Sequence, residues 1–103
     1  MPDTSKQASP RAVLLRTRRF DRSLRTLTDA EYERVINALE VLTTAFGDVH
    51  SHAGLGIRKL RRRLFECRAG LDLRILFKLE GGTRELILAG SHDHIRRYLK
   101  EGH

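Results

Sequence analysis

The sequence predicts an α+β fold: a strand, a two-helix hairpin, then a three-stranded antiparallel meander, with the helices packed on one face of the sheet. Three observations carry that reading. One long apolar stripe at helical spacing begins on a capping motif (28–46). Apolar residues on alternate positions, 73, 75, 77 and 79, have the period of a half-buried strand. Gly81-Gly82 then supplies a two-residue hairpin between that segment and the next apolar run.

Along the chain, Met1 to Pro10 holds both prolines and several small polar residues, and reads as a flexible tail. Residues 11–103 are expected to form a single domain, the amount of chain one small core can organise. Ala12 to Thr17 is a short apolar run bounded by polar residues, which suits a strand. Phe20, Leu24 and Leu27 recur at helical spacing, so a short helix is expected near residues 18–26. Thr28-Asp29-Ala30-Glu31 fits a capping box, with Leu27 and Tyr32 placed for a hydrophobic staple. Tyr32, Val35, Ile36, Leu39, Leu42 and Phe46 form one stripe ending at Gly47, predicting a helix over 29–46 that packs on the sheet. Asp48 to Gly56 reads as a loop. Arg62–Ala69, Asp72–Glu80 and Thr83–Gly90 are the expected meander strands, and Ser91 to Lys100 has room for a closing helical turn or two.

Composition narrows the function classes. Of 103 residues, 20 are Lys or Arg and 13 Asp or Glu, a formal charge of +7, and arginines outnumber lysines sixteen to four. Arg presents a planar fork of donors suited to phosphate, so the bias favours a polyanionic partner. No apolar run approaches the roughly 18 residues of a membrane span. The polar start does not read as a secretory signal. The single cysteine, Cys67, excludes an internal disulfide or a multi-thiolate zinc site, and points to a reducing, cytoplasmic setting. Placed among apolar strand residues, it reads as a buried, inert thiol.

Charge concentrates between Arg58 and Arg74. Seven cations (Arg58, Lys59, Arg61, Arg62, Arg63, Arg68, Arg74) stand there against Glu66 and Asp72. Such a cluster suits contact with a nucleic-acid backbone, or equally a solvated strand edge that discourages aggregation. Arg68 and Arg74 fall within strands, where side-chain direction is fixed, and Glu85 is a possible ion-pair partner for Arg74. His92 follows the last strand, where an imidazole can exchange a proton near neutral pH. Tyr98, six residues on, can stack on a base or cap the core. The His50-x-His52 and His92-x-His94 pairs could build a metal site, but nothing else in the sequence supports a metal, so none is assigned. The long helix is not basic enough to be a DNA-reading helix, since Arg34 is its only cation.

Three segments together, RKLRRRLFECR (58–68), LRILF (73–77) and LILAGSHDHIRRY (86–98), resemble the RelE/ParE superfamily of toxins from type II toxin–antitoxin pairs. The order and length of the upstream strand and helices agree with it. The resemblance implies a ribosome-dependent endoribonuclease that cuts mRNA in the A site without a metal or other cofactor. In such enzymes the 2′-hydroxyl attacks the neighbouring phosphate, leaving a 2′,3′-cyclic phosphate and a 5′-hydroxyl. On that resemblance Arg74 stabilises the phosphate, His92 transfers a proton, Tyr98 orients or stacks on the base, Arg68 is a second cation of the site and Glu66 a candidate base. Arg58, Lys59, Arg61, Arg62 and Arg63 would contact the RNA backbone. The sequence departs from the family pattern in having no lysine on the strand around 65–68. The implied partners are mRNA on the ribosome and an acidic cognate antitoxin. A ParE-like toxin that binds DNA gyrase without chemistry, and a degenerate toxin acting as a nucleic-acid-binding module, are the alternatives.

Overall fold

A computed structural model describes residues 13–44 and 56–101. The proposed tail, His50, His52 and most of the 48–56 loop lie outside the described residues. The architecture is α+β, a mixed five-stranded sheet with three helices. The elements in chain order are β1 (Val13–Arg16), α1 (Arg18–Leu24), α2 (Asp29–Thr44), β2 (Arg58–Arg61), β3 (Leu64–Arg68), β4 (Arg74–Glu80), β5 (Thr83–Gly90) and α3 (His92–Lys100). The strands lie in the order β1-β5-β4-β3-β2; β1 runs parallel to β5 and every other pair is antiparallel.

The helix starts follow from their caps. Thr17 Oγ1 accepts from Phe20 N (3.0 Å) and donates to the Leu86 carbonyl (2.8 Å), so one hydroxyl starts α1 and fastens it to β5. The expected capping box closes α2: Glu31 N donates to Thr28 Oγ1 (3.1 Å) and Thr28 N to Glu31 Oε1 (2.9 Å). Pairing of β1 to β5 stops at Leu86, which leaves the β5 backbone open beyond it. Buried Ser23 of α1 covers that opening, its hydroxyl accepting from Ala89 N at 3.0 Å.

The sheet separates two apolar clusters. On one face Phe20, Val35, Ala38 and Leu42 of the α1–α2 hairpin pack on Cys67, Ile75, Phe77, Leu86 and Ala89. On the other, Ile95 of α3, flanked by Tyr98 and Leu99, packs on Leu76, Ile87 and Leu88. A register shift opposite Leu76 and Phe77 adds Ile87 to β5, so Leu86 and Ala89 can share one face despite their odd spacing. The Gly81-Gly82 turn joins β4 to β5 with Gly81 at φ +59°, a conformation side chains rarely adopt.

Several details differ from the sequence reading. The first-face packing holds for the α1–α2 hairpin, whereas Ser91 to Lys100 forms a nine-residue helix on the opposite face, started by Ser91 Oγ accepting from His94 N (3.1 Å). Arg58–Arg61 is an additional edge strand, and Arg62-Arg63 is the turn into β3. Tyr32 and Ile36 stand exposed on α2, while Ala38 takes a buried position the stripe had not included. With only one side of the helix against the sheet, the wider apolar arc is not all covered.

Candidate functional site

The site is built where β3 turns into β4. Arg68 ends β3, Arg74 begins β4, and the two are partners in register. Like charges directly opposite on neighbouring strands repel, so the fold gains nothing locally from this pair. A violation of a local rule of this kind is expected at a functional or strained site.

Glu66 organises the cations around it. It is 2% exposed, and its Oε2 accepts from Arg74 Nη1 and from Arg58 Nη2, each at 3.1 Å. Its cross-strand partners are Arg58 on β2 and Leu76 on β4, which place this carboxylate on the face carrying α3. Arg74 therefore pairs with Glu66 and not with Glu85, which lies opposite Lys78. Glu66, read as a candidate base, is enclosed between two guanidiniums. That arrangement suits a residue that aims Arg74.

The N-terminus of α3 comes to the same end of the sheet, because Gly90 lies opposite Arg74. His92 N donates to Asp72 Oδ1 at 3.2 Å, tying the helix start to the β3–β4 turn. The His92 ring is half-buried, and its Nδ1 is enclosed with no hydrogen-bond partner among the described residues. Its neighbour His94 lines a cavity of about 500 Å³ with Arg34, Asp72, Gly90 and Ser91.

Tyr98 is not brought to this cluster. At about 1.5 Å per residue, six residues of α3 carry it about 9 Å further along the helix axis. There it lines a cavity of about 420 Å³ with Arg19, Arg61, Arg62 and Lys78. The Arg19 guanidinium lies over its ring, 4.9 Å from the centroid. Arg61 also donates to the Leu99 carbonyl (3.0 Å), joining β2 to α3. Arg63, at φ 65°, pairs with Glu80 (2.9 Å), and Lys59 is exposed opposite Phe65. The expected residues therefore form two groups on the sheet: Arg58, Glu66, Arg68, Arg74 and His92 towards one end, Arg61, Arg62 and Tyr98 towards the other.

Arg19, Arg34, Asp72 and Lys78 join these groups, although the sequence marked none of them as a site residue. For Arg19 and Lys78 no local signal exists, since they reach Tyr98 through tertiary contacts alone. Cys67 is buried as expected, and its thiol is pushed up to about 12 by burial, with the adjacent Glu66 charge adding to the effect. It takes no part in either group. Among the described residues no group of three or more His, Cys, Asp or Glu is placed to hold a metal ion. No helix there is long and apolar enough to cross a membrane.

No protein-family model matches the sequence, and no curated protein is similar to it in sequence. Solved structures do match. The archaeal RelE–RelB complex of Pyrococcus horikoshii includes a chain with TM-score 0.63 and 15% identity, over 78% of this chain and 93% of that one. The chain has the fold of the RelE-type toxins. YafQ from Escherichia coli is similar at TM-score 0.60 and 12% identity, over 82% and 97% of the two chains. A chain of the RelBE2 toxin–antitoxin complex of Mycobacterium tuberculosis gives 0.51 and 18%, over 80% and 99%. The RelE-like chain thus spans nearly the full length of these toxins.

Proposed function

We propose that residues 11–103 are the single toxin domain of a cytoplasmic toxin–antitoxin pair, acting as an mRNA endoribonuclease on the ribosome. The observation that carries this reading is the opposed Arg68–Arg74 pair, with Arg74 aimed by a buried Glu66, on a RelE-type fold. Attack of a 2′-hydroxyl on its phosphate gathers negative charge on the non-bridging oxygens, and a guanidinium fixed beforehand stabilises that charge without reorganising. Arg74 supplies the fixed charge and Arg68 the adjacent one. His92 moves the proton, from a position at the start of α3 on the same end of the sheet. Tyr98, at the far group, receives a base of the same strand beside Arg61 and Arg62, in keeping with an aromatic next to backbone-binding cations. Arg58 divides its charge with Glu66, and Lys59 and Arg63 lie at the outer edge of the same basic surface. The partner that silences it is an antitoxin with an acidic segment, attracted by the uncompensated charge.

Induction in cells with primer extension on a reporter mRNA tests this. Wild type should produce cuts in register with codons and arrest growth, and Arg74→Ala and His92→Ala should abolish both. Growth arrest with DNA damage and intact mRNA would overturn the nuclease reading in favour of a gyrase-binding toxin.

A further inference from the structure

α2 carries a single cation among its described residues, Arg34, and the fold delivers it to the arginines of the site. A cavity of about 700 Å³ between α2 and the β3–β4 turn is lined by Arg34, Asn37, Val41, Arg68, Leu71 and Arg74, among others. Three arginines from three elements thus line one cavity, and no carboxylate lines it among the described residues. Two glycines leave room for these side chains. A Cβ on Gly70 would come within 3.3 Å of Arg34 Cδ, and one on Gly56 within 3.2 Å of Arg68 Nε. Arg34 and Leu71 also line the adjoining cavity, together with Glu31, Asp72, Ser91 and His94. Arg34 therefore stands where two cavities meet, between the Arg68–Arg74 pair and the start of α3.

We propose that Arg34, Arg68 and Arg74 form a pocket for a backbone phosphate of single-stranded RNA, with Arg34 leading the strand from that pocket towards His94. Three arginines around one cavity suit an oxyanion that presents several acceptor oxygens. An amphipathic protein helix would need a row of exposed apolar anchors at helical spacing, and among the described residues Val41 and Leu71 are the only exposed apolar side chains that line the pocket. The proposal deepens the RNA-directed reading above and rests on it.

The test is binding of a short fluorescein-labelled 2′-O-methyl oligoribonucleotide, which lacks the attacking hydroxyl, followed by anisotropy across a salt series. Arg34→Ala should weaken binding about fivefold and lower the salt slope by about 0.7, the share of one single-strand phosphate. Arg34→Lys should recover the slope and only part of the affinity, because it keeps the charge and loses the fork. Arg22→Ala, which removes the same charge from an exposed site on α1, should change neither. Arg34 is exposed, so its variants should keep the wild-type melting temperature. Equal effects of Arg34→Ala and Arg22→Ala, or no measurable binding by wild type, would overturn the pocket. So would an Arg34→Ala variant that loses affinity for an acidic antitoxin peptide while binding RNA as before. A wild-type chain that binds the oligonucleotide with this Arg34 dependence but cuts no mRNA in cells upholds the pocket and removes only the nuclease reading.

Discussion

Replacing Glu66 by Met should destabilise the chain strongly, and replacing Arg74 by Met as well should restore much of the loss. Glu66 is 2% exposed, and the Arg74 side chain is 22% exposed, so neither charge is free to rehydrate when its partner is removed. Breaking such a pair typically costs about 3–5 kcal/mol, and the partial exposure of Arg74 places Glu66→Met near the lower end, about 3 kcal/mol. For a chain of this size that is a fall of roughly 10–20 °C in Tm. The double variant removes both charges and fills the space with apolar atoms, so it should lie within about 1 kcal/mol of wild type. The coupling energy between the two positions is then about 2 kcal/mol or more. Arg58 touches the same oxygen at the same 3.1 Å, but its side chain is 60% exposed. A parallel cycle with Arg58→Met should therefore give only about 0.5 kcal/mol. Urea unfolding of the single and double variants measures both couplings. Additive effects at Glu66 and Arg74 within about 0.5 kcal/mol, or equal couplings to the two arginines, would refute the claim that Glu66 is the device that holds Arg74.

Two further outcomes concern the frame of the site. A Cβ at Gly90 would meet His94 Nδ1 at 2.7 Å and His94 Cβ at 3.2 Å, so Gly90→Ala should cost about 1–3 kcal/mol in thermal unfolding. Adding His94→Ala removes the closer contact and should recover part of that loss, and no recovery would show that the clash lies elsewhere. The buried Cys67 thiol keeps its proton to about 12, whereas the unfolded thiol loses it near its ordinary 9.0. Between these values the unfolded state binds fewer protons, so this group's contribution to stability is full below pH 9 and falls by about 1.4 kcal/mol per unit above it. The stability difference between wild type and Cys67→Ala should shrink as pH rises above 9, and parallel pH profiles would contradict the assignment.

The elements whose signals are local were legible in the sequence. The capping box at Thr28–Glu31 depends on neighbouring donors and acceptors, and the Gly81-Gly82 turn on the φ that glycine permits; both stand as expected. β4 is a strand as its period predicts, but it is buried on both faces and not half-buried, because α3 covers Leu76 on the far side. The burial of Cys67 was legible for the same reason, since its apolar neighbours in sequence are also its neighbours on the strand. Tyr32 and Ile36 were misplaced because a sequence shows an apolar arc but not how wide a sheet face it meets.

The sequence by itself thus determined an α+β chain with a basic segment at 58–74 and the residue types needed to handle a phosphate. Tertiary structure decided which of those residues meet. Hydrogen-bond register placed Arg68 opposite Arg74 and put Glu66 beside Arg58, because pairing across strands fixes contacts that spacing along the chain does not. The crossing of α3 to the opposite face carried Tyr98 to Arg19, away from Arg74. Packing of α2 on the sheet brought Arg34, a lone cation in an otherwise unremarkable helix, to the cavity of the two strand arginines. Charge was written in the composition; the pocket that concentrates it comes from contacts between residues tens of positions apart.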